Sequence, residues 1–216
     1  MRFAAVLFDL DGTLLDTLAD IGGSMNSVLE DLGLPIHPLD CYRRFVGDGV
    51  VMLARRALPT DRRDEDTVAE AVARMRAIYG TRSRQRTTIY DGITELLDGL
   101  EARGVAKAVL SNKPHELTVS LVAEMLGRWS FAPVVGEREG VARKPDPHSA
   151  REIAGALGVV PERILYLGDT PTDMQTAKAA GMAPVGAGWG FRDGDELRQA
   201  GAWQVVSRPP ALLDLL

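Results

Sequence analysis

Two aspartates, Asp9 and Asp11, stand two positions apart after a short apolar segment near the start of the chain. That segment, residues 3–8, has no polar side chain and predicts a strand buried on both faces, as in the centre of a parallel sheet. Residues i and i+2 of a strand point to the same side, so both carboxylates would enter one small space. Like charges that close repel unless a cation or a proton lies between them. The pair therefore predicts either a site that holds a cation and moves protons or, more simply, a solvated strand end.

More polar side chains follow the other predicted strands. Strands are predicted over residues 105–110, 133–135, 164–167, 183–186 and 204–206, and a predicted helix separates each from the next. This alternation is typical of a parallel sheet covered on both faces. Ligands bind at the carboxyl edge of such sheets. The polar residues expected at that edge are Asp9, Asp11, Ser111, Asn112, Lys113, Lys144, Asp169 and Asp173.

Residues 16–86 show a different pattern, with helical periodicity and no strand pattern. Helices are predicted over residues 16–32, 39–46, 50–58 and 64–79. Because this block falls between the first strand and the alternating region, we interpret it as an insertion over the carboxyl end of the first strand. The predicted fold class is α/β, with a Rossmann-like parallel sheet core (residues 1–15 and 87–216) and an inserted, small, all-helical cap domain (residues 16–86).

The composition is that of an ordinary globular protein: 216 residues, 45% hydrophobic and 25% charged. A net charge of −5 gives no support for nucleic-acid or membrane-surface binding. No apolar run approaches the roughly 18 residues of a membrane span. Cys41 is the single cysteine, which excludes an internal disulfide and a cysteine metal cluster. We expect a soluble, cytoplasmic protein.

The expected groups suit phosphate chemistry. Asp9, Asp169 and Asp173 are hard oxygen donors of the kind that Mg²⁺ prefers. A lysine, Lys113 or Lys144, could bind an anion beside the ion, and a metal cation with an ammonium group describes a phosphate site better than a carboxylate site. Positioned positive charge is what stabilises a transferring phosphoryl group.

Carboxylates also act directly in phosphoryl transfer. An aspartate can attack phosphorus and form an aspartyl-phosphate. A second carboxylate can protonate the leaving oxygen and later activate water. Asp9 and Asp11 could divide these two roles.

Four stretches resemble the four motifs of the haloacid dehalogenase superfamily, in the expected order. Residues 9–17 (Asp-Leu-Asp-Gly-Thr-Leu-Leu-Asp-Thr) resemble motif one, and Ser111 fits motif two. Lys144 fits motif three, and residues 168–173 (Gly-Asp-Thr-Pro-Thr-Asp) resemble motif four. The ordered set spans the chain and is far more specific than any single motif. The helical cap that this superfamily inserts after motif one matches residues 16–86.

The resemblance implies a role for each acid. Asp9 would be the nucleophile and Asp11 the general acid and base. Mg²⁺ would be held by Asp9, Asp169 and the backbone carbonyl of Asp11, with Asp173 close by.

The resemblance also implies a phosphate site. Ser111, Asn112 and Lys144 would bind the phosphoryl oxygens, and Lys144 would restrain the charge of Asp9. For Lys113 two roles stay open, a contact with phosphate or closure of the loop.

Two branches of the superfamily do not fit the residues. Dehalogenases lack the second motif-one aspartate, whereas Asp11 is present. Phosphonoacetaldehyde hydrolases use a cap lysine, but no lysine occurs between Leu14 and Ala106. Phosphatases and phosphomutases remain.

Within these, residues 43–50 (Arg-Arg-Phe-Val-Gly-Asp-Gly-Val) resemble the cap loop of phosphoglycolate phosphatases, as do residues 111–113 and 188–192. Gly47 would allow close backbone approach to a small substrate. Arg43 or Arg44 could bind its carboxylate bidentately. Relatives often carry proline where this chain has Asp91, a difference that touches a loop.

The predicted function is Mg²⁺-dependent hydrolysis of a small phosphomonoester through an aspartyl-phosphate, by a monomer or homodimer. The alternatives are a sugar phosphomutase, a phosphatase or pyrophosphatase of other specificity, and a non-enzymatic binding protein on the same fold.

Overall fold

The computed structural model describes residues 2–216 and forms two compact units. One unit contains the described residues up to Leu15 together with Ile89–Leu216. The other is Asp16–Thr88. We call them the sheet unit and the helical unit.

The sheet unit is built on a six-stranded sheet in which neighbouring strands are parallel. Its strands are β1 (Ala5–Phe8), β4 (Ala106–Pro114), β5 (Val134–Glu137), β6 (Ile164–Gly168), β7 (Ala183–Ala187) and β8 (Gln204–Val206). Their spatial order is β5-β4-β1-β6-β7-β8. Phe8 at the end of β1 lies beside Val109 of β4 and Leu167 of β6. This arrangement confirms the predicted α/β class and places β1 between β4 and β6.

Helices cover both faces of this sheet. They are α5 (Ile93–Ala102), α6 (His115–Leu126), α7 (His148–Leu157), α8 (Pro171–Ala180) and α9 (Gly194–Gln199). Val6 and Phe8 belong to the apolar core on one face, and Ala5 and Leu7 to that on the other. Double-sided burial explains why β1 is continuously apolar. It also fixes β1 rigidly, since each fully buried large apolar side chain contributes about 1.5–3 kcal/mol.

The helical unit contains α1 (Leu18–Asp31), α2 (Tyr42–Phe45), α3 (Val50–Ala57) and α4 (Glu65–Arg82). Its core is formed by apolar residues at helical spacing, among them Met25, Val28, Val68, Val72 and Met75. Asp64 caps α4 by accepting a hydrogen bond of 2.9 Å from the Thr67 amide.

The two ends of the helical unit are fastened to each other within it. The buried carboxylate of Asp20, in the first turn of α1, accepts hydrogen bonds from the Arg86 amide (3.1 Å), the Thr87 amide (2.9 Å) and the Thr87 hydroxyl (2.7 Å). Two short paired strands, β2 (Leu15–Asp16) and β3 (Thr88–Ile89), lie where the chain passes between the units.

Two local features differ from the predictions. Strand β4 extends to Pro114, so Ser111, Asn112 and Lys113 lie within it, although their polar side chains do not continue its apolar pattern. Strands β2 and β3 were not predicted, because two residues give no periodicity. After β8, the chain ends in a 3₁₀ helix, Pro209–Leu215.

Among the described residues, no helix combines the length and the apolar character needed to cross a bilayer.

Candidate active site

Three buried carboxylates meet at the carboxyl edge of the sheet. Asp9 follows β1, Asp169 follows β6, and Asp173 lies in the first turn of α8. Each offers one oxygen atom, and the three atoms lie within 4.8 Å of one another. Because β1 and β6 are neighbours in the sheet, residues that are far apart in the chain become a single acidic cluster.

The ammonium group of Lys144 lies inside this cluster. Its Nζ atom is 2.7 Å from Asp173 Oδ1 and 2.9 Å from Asp9 Oδ1, and it donates to the Leu110 carbonyl at 3.1 Å. Three carboxylates against one ammonium leave two formal negative charges in a buried space. Oxygen donors with that charge fit a hard divalent cation such as Mg²⁺.

Burial and mutual repulsion perturb these groups strongly. Desolvation and the nearby Asp173 raise the pKa of Asp9 to about 7, although Lys144 acts in the opposite direction. Desolvation, with Asp9 and Asp173, holds the pKa of Asp169 well above its usual value. Burial alone would lower the pKa of Lys144, but Asp173 and Asp9 outweigh it and hold that pKa well above the usual one. Without a further cation, the carboxyl groups of the cluster tend to keep their protons. A divalent ion would take the place of those protons.

The loop after β1 positions Asp169. The Thr13 hydroxyl donates to Asp169 Oδ1 at 2.9 Å, and the Phe191 amide donates to Asp169 Oδ2 at 2.8 Å. Gly12 has φ +84°, and a Cβ atom there would overlap the Asp169 carboxylate. Trp189 Nε1 donates to the Thr13 carbonyl at 2.9 Å, so the segment after β7 supports the same loop. The sequence singled out residues 188–192 by resemblance, but it predicted no role for Trp189 itself.

Asp11 is oriented differently from Asp9. Its two carboxylate oxygens lie 2.7 and 2.8 Å from Lys113 Nζ, and it is not among the three clustered acids. The sequence left the role of Lys113 open, and the structure places its ammonium group on Asp11.

The side chains of Asn112 and Ser111 both form hydrogen bonds with backbone groups. Asn112 Nδ2 donates to the Lys144 carbonyl at 3.1 Å, and the Lys144 amide donates to Asn112 Oδ1 at 3.0 Å. The Ser111 hydroxyl accepts from the Lys113 amide at 3.2 Å. The Asn112 side chain therefore braces the backbone of Lys144, and phosphate contacts of Ser111 and Asn112 stay predictions.

Asp173 has further partners in α8 and β6. Its Oδ2 accepts from the Thr170 hydroxyl at 2.7 Å and from the Thr170 amide at 3.1 Å. The Thr170 side chain in turn accepts from the Asp173 amide, which completes a capping box. Tyr166 donates to Asp173 Oδ1 at 3.4 Å. The Thr-x-x-Asp spacing of Thr170 and Asp173 signals such a box in the sequence, whereas nothing in the apolar segment 164–167 singles out Tyr166.

The predicted substrate residues of the cap belong to the helical unit. Arg43 and Arg44 lie in α2, and Gly47 follows it with φ +126°. The Arg43 guanidinium forms an ion pair of 3.0 Å with Asp40. Contact of these residues with a substrate stays a prediction.

Comparison with known proteins decides the family. A family model for haloacid dehalogenase-like hydrolases matches residues 6–187. The chain belongs to this family. The sheet, the acidic cluster and Lys144 thus lie in a haloacid dehalogenase-like hydrolase, as the ordered motifs predicted.

Individual relatives point to one branch of the family. A phosphoglycolate phosphatase of Xanthomonas campestris pv. campestris is 35% identical over 218 residues, covering 98% of this chain and 96% of the relative. One from Pseudomonas savastanoi pv. phaseolicola is 35% identical over 208 residues, covering 93% and 75%. A crystal structure of a predicted phosphoglycolate phosphatase from Haemophilus somnus has a TM-score of 0.90 at 26% identity, covering 100% and 98%. The predicted phosphoglycolate phosphatase-like recognition and the predicted enzyme class, a phosphatase, are confirmed.

Proposed function

We propose that the chain hydrolyses a small phosphomonoester, of which 2-phosphoglycolate is the leading candidate, through an aspartyl-phosphate on Asp9 and with Mg²⁺ as cofactor. The observation that carries the proposal is the placement of Lys144 between Asp9 and Asp173 beside Asp169. This placement brings together the buried carboxylate of Asp9, the ammonium group of Lys144 and a set of carboxylate oxygens that could bind a cation. The names of the relatives support the substrate class.

The residues present fit the cofactor. Asp9, Asp169 and the backbone carbonyl of Asp11 would hold Mg²⁺, with Asp173 linked to the site through Lys144. Once bound, the ion supplies positive charge that balances the phosphoryl oxygens. Thr13 and the Phe191 amide keep Asp169 turned toward the cluster.

The first half-reaction transfers the phosphoryl group to the enzyme. A carboxylate oxygen of Asp9 attacks phosphorus in line with the ester oxygen, whose bond to phosphorus breaks. Asp11 gives its proton to that oxygen, and the alcohol leaves. Lys144 and Ser111 bind the phosphoryl oxygens.

The second half-reaction regenerates Asp9. Water gives a proton to Asp11 and attacks phosphorus, and the bond from phosphorus to Asp9 breaks. Inorganic phosphate leaves, Asp9 is again a carboxylate, and Asp11 again holds a proton. The sum is ester plus water giving alcohol plus phosphate.

The helical unit would act as the cap. We propose that it covers the bound ester and excludes water, with Arg43 or Arg44 on the substrate carboxylate and the backbone at Gly47 close to it. The protein would act in the cytoplasm as a monomer or homodimer, without a nucleic-acid or membrane partner.

The test is phosphate release from a panel of 2-phosphoglycolate, other small phosphomonoesters and hexose phosphates. We expect activity with Mg²⁺, none after chelation, and none in Asp9→Asn, which should fold normally by circular dichroism. Interconversion of hexose phosphates with little phosphate release would instead show a phosphomutase. Robust turnover by Asp9→Asn would overturn the nucleophile assignment.

A further inference from the structure

We propose that Lys113 is a positioning residue for Asp11, which it holds apart from the acidic cluster and in place for proton transfer; this rests on the proposed function. Lys113 Nζ contacts both carboxylate oxygens of Asp11, at 2.7 and 2.8 Å. The Lys113 side chain is 4% exposed and that of Asp11 is 12% exposed. The contact joins residues 102 positions apart and is partly buried.

The two lysines of the site form ion pairs with different acids. Lys144 contacts Asp9 and Asp173, and Lys113 contacts Asp11. Asp9 and Asp11 are two positions apart in the sequence. The group of neighbouring carboxylate oxygens nevertheless comes from Asp9, Asp169 and Asp173, and Asp11 is not part of it. Charge-assisted hydrogen bonds are stronger than neutral ones, so the Lys113 contact favours this separate orientation of Asp11.

The geometry of the contact suits a group that both gives and takes a proton. The χ2 torsion of an aspartate side chain has a broad distribution with little intrinsic preference, so a hydrogen-bonding partner must fix the orientation of the carboxylate. Because the ammonium group touches both oxygens, either one can carry the transferred proton while the other keeps its contact. Lys113 can therefore hold Asp11 in place through both half-reactions.

Lys113 itself is fixed by β4. It lies in the strand two residues after Ser111, and its amide donates to the Ser111 hydroxyl. The same strand thus presents a predicted phosphate ligand and the partner of the predicted acid.

The experiment compares two substrates that differ in their need for an acid. Departure of an alkoxide from 2-phosphoglycolate requires protonation, whereas p-nitrophenolate leaves readily without it. The parameter is kcat/KM, which reports the steps up to departure of the alcohol and excludes the second half-reaction. Lys113→Met should lower kcat/KM for 2-phosphoglycolate by roughly 10- to 100-fold, a part of what general acid catalysis supplies. For p-nitrophenyl phosphate the loss should stay below about threefold, since that substrate does not draw on the acid.

Two further measurements separate positioning from binding. Inhibition by inorganic phosphate should be nearly unchanged in Lys113→Met, because the ammonium is assigned to Asp11. Lys113→Arg, which keeps a charged donor, should recover part of the loss for 2-phosphoglycolate. The double variant with Asp11→Asn should be no slower on 2-phosphoglycolate than Asp11→Asn alone.

The chain offers a matched control in Lys107. This lysine lies in the same strand, is 4% exposed, and contacts Glu101 at 2.8 Å. Lys107→Met should lower stability without changing the ratio of the two kcat/KM values.

The outcomes are distinguishable. Equal losses on both substrates with weaker phosphate inhibition would make Lys113 a substrate ligand and overturn the positioning role. An unchanged substrate ratio, with only a lower melting temperature, would make the contact a purely structural ion pair. If the wild-type protein turns over neither ester, the proposed function fails, and the role of Lys113 fails with it. A wild type active on both esters leaves the substrate ratio to decide Lys113 alone.

Discussion

The Thr13 hydroxyl donates a 2.9 Å hydrogen bond to Asp169 Oδ1, across 156 positions of sequence. Thr13 belongs to the stretch that carries Asp9 and Asp11, and Asp169 belongs to the Gly-Asp-Thr turn after β6. The bond therefore connects the proposed nucleophile segment with a proposed metal ligand. The structure thereby gives Thr13 a partner outside its own loop.

Removal of the Thr13 hydroxyl should weaken metal binding. Thr13→Val leaves Asp169 Oδ1 without this donor, and loss of a partner behind a metal ligand typically costs about 10- to 100-fold in affinity or activity. Titration calorimetry with Mg²⁺ measures the effect. Thr176→Val is the control, because Thr176 is also fully buried and its hydroxyl donates to the Thr172 carbonyl within α8. Equal Mg²⁺ affinity in wild type and Thr13→Val would contradict the expectation.

The metal-free protein should lose stability as the pH rises. Burial in the folded state raises the pKa of Asp9 to about 7, above its ordinary value of 3.8. The folded state therefore holds the Asp9 proton more tightly than the unfolded state. The stabilisation from that proton is complete below pH 3.8 and is lost as the pH rises through 7.

Denaturant unfolding in chelator from pH 4 to 8 measures this dependence. The free energy of unfolding of wild type should fall relative to that of Asp9→Asn, by an amount on the order of a few kcal/mol across the range. Saturating Mg²⁺ should flatten the difference, because the ion takes the place of the proton. Parallel pH profiles for the two proteins in chelator would refute the assigned shift.

Loss of the central ammonium group should damage both activity and stability. Lys144→Met leaves Asp9, Asp169 and Asp173 with no cation among them, and breaking a buried pair costs about 3–5 kcal/mol. The melting temperature should drop in chelator and should be restored by Mg²⁺ more than in wild type. Turnover should fall by about 10²–10³-fold, as for loss of one charge-stabilising donor. Lys178→Met, an exposed lysine on α8, should change neither quantity. Wild-type turnover by Lys144→Met would rule out its role.

Asn112 should act through Lys144. Asn112→Ala removes two hydrogen bonds to the Lys144 backbone and leaves buried polar groups unpaired, at about 1–3 kcal/mol each. Effects of Asn112→Ala and Lys144→Met on kcat/KM should be less than additive in a double-mutant cycle. Full additivity would indicate a separate contact of Asn112 with phosphate.

Asn26 provides the control for that cycle. Its side chain makes the same reciprocal pair, with the His37 backbone, at 2.8 and 3.0 Å in the helical unit. Because Asn26 Oδ1 also accepts from the Tyr42 hydroxyl at 2.7 Å, Asn26→Ala should lower the free energy of unfolding at least as much, and it should show no coupling to Lys144→Met.

The acidic cluster could be predicted from the sequence because strand ends are easy to recognise. Asp9 and Asp169 each follow an apolar run, and parallel strands place their carboxyl ends at one edge. Lys144 follows no strand directly, and it was expected at that edge because the loop after the predicted strand 133–135 leads to it; its specific role came from the family motif. The alternation of strands and helices was likewise sufficient for the fold class.

The partners within the site could not be predicted in this way. Whether Lys113 contacts phosphate or Asp11 depends on side-chain geometry between residues 102 positions apart, which periodicity does not report. The length of β4 was missed because Ser111, Asn112 and Lys113 are polar although they are buried, so they do not continue its apolar pattern. Tyr166 looks like a core residue in sequence, yet its hydroxyl donates to Asp173 in α8. The stretch 188–192 was noted by resemblance, but the hydrogen bond from Trp189 to the Thr13 carbonyl could not be predicted from it.

The hydrogen bonds of Asp20 make the stretch Asp16–Thr88 a segment whose beginning and end are clasped together by its own atoms. Such a segment can be replaced as a unit, since a replacement need only have two ends that lie close together where it joins the sheet unit. Every acid and lysine assigned to phosphoryl transfer would stay behind in the recipient. Grafting the corresponding stretch of another family member is thus a route to altered substrate preference with the chemistry retained.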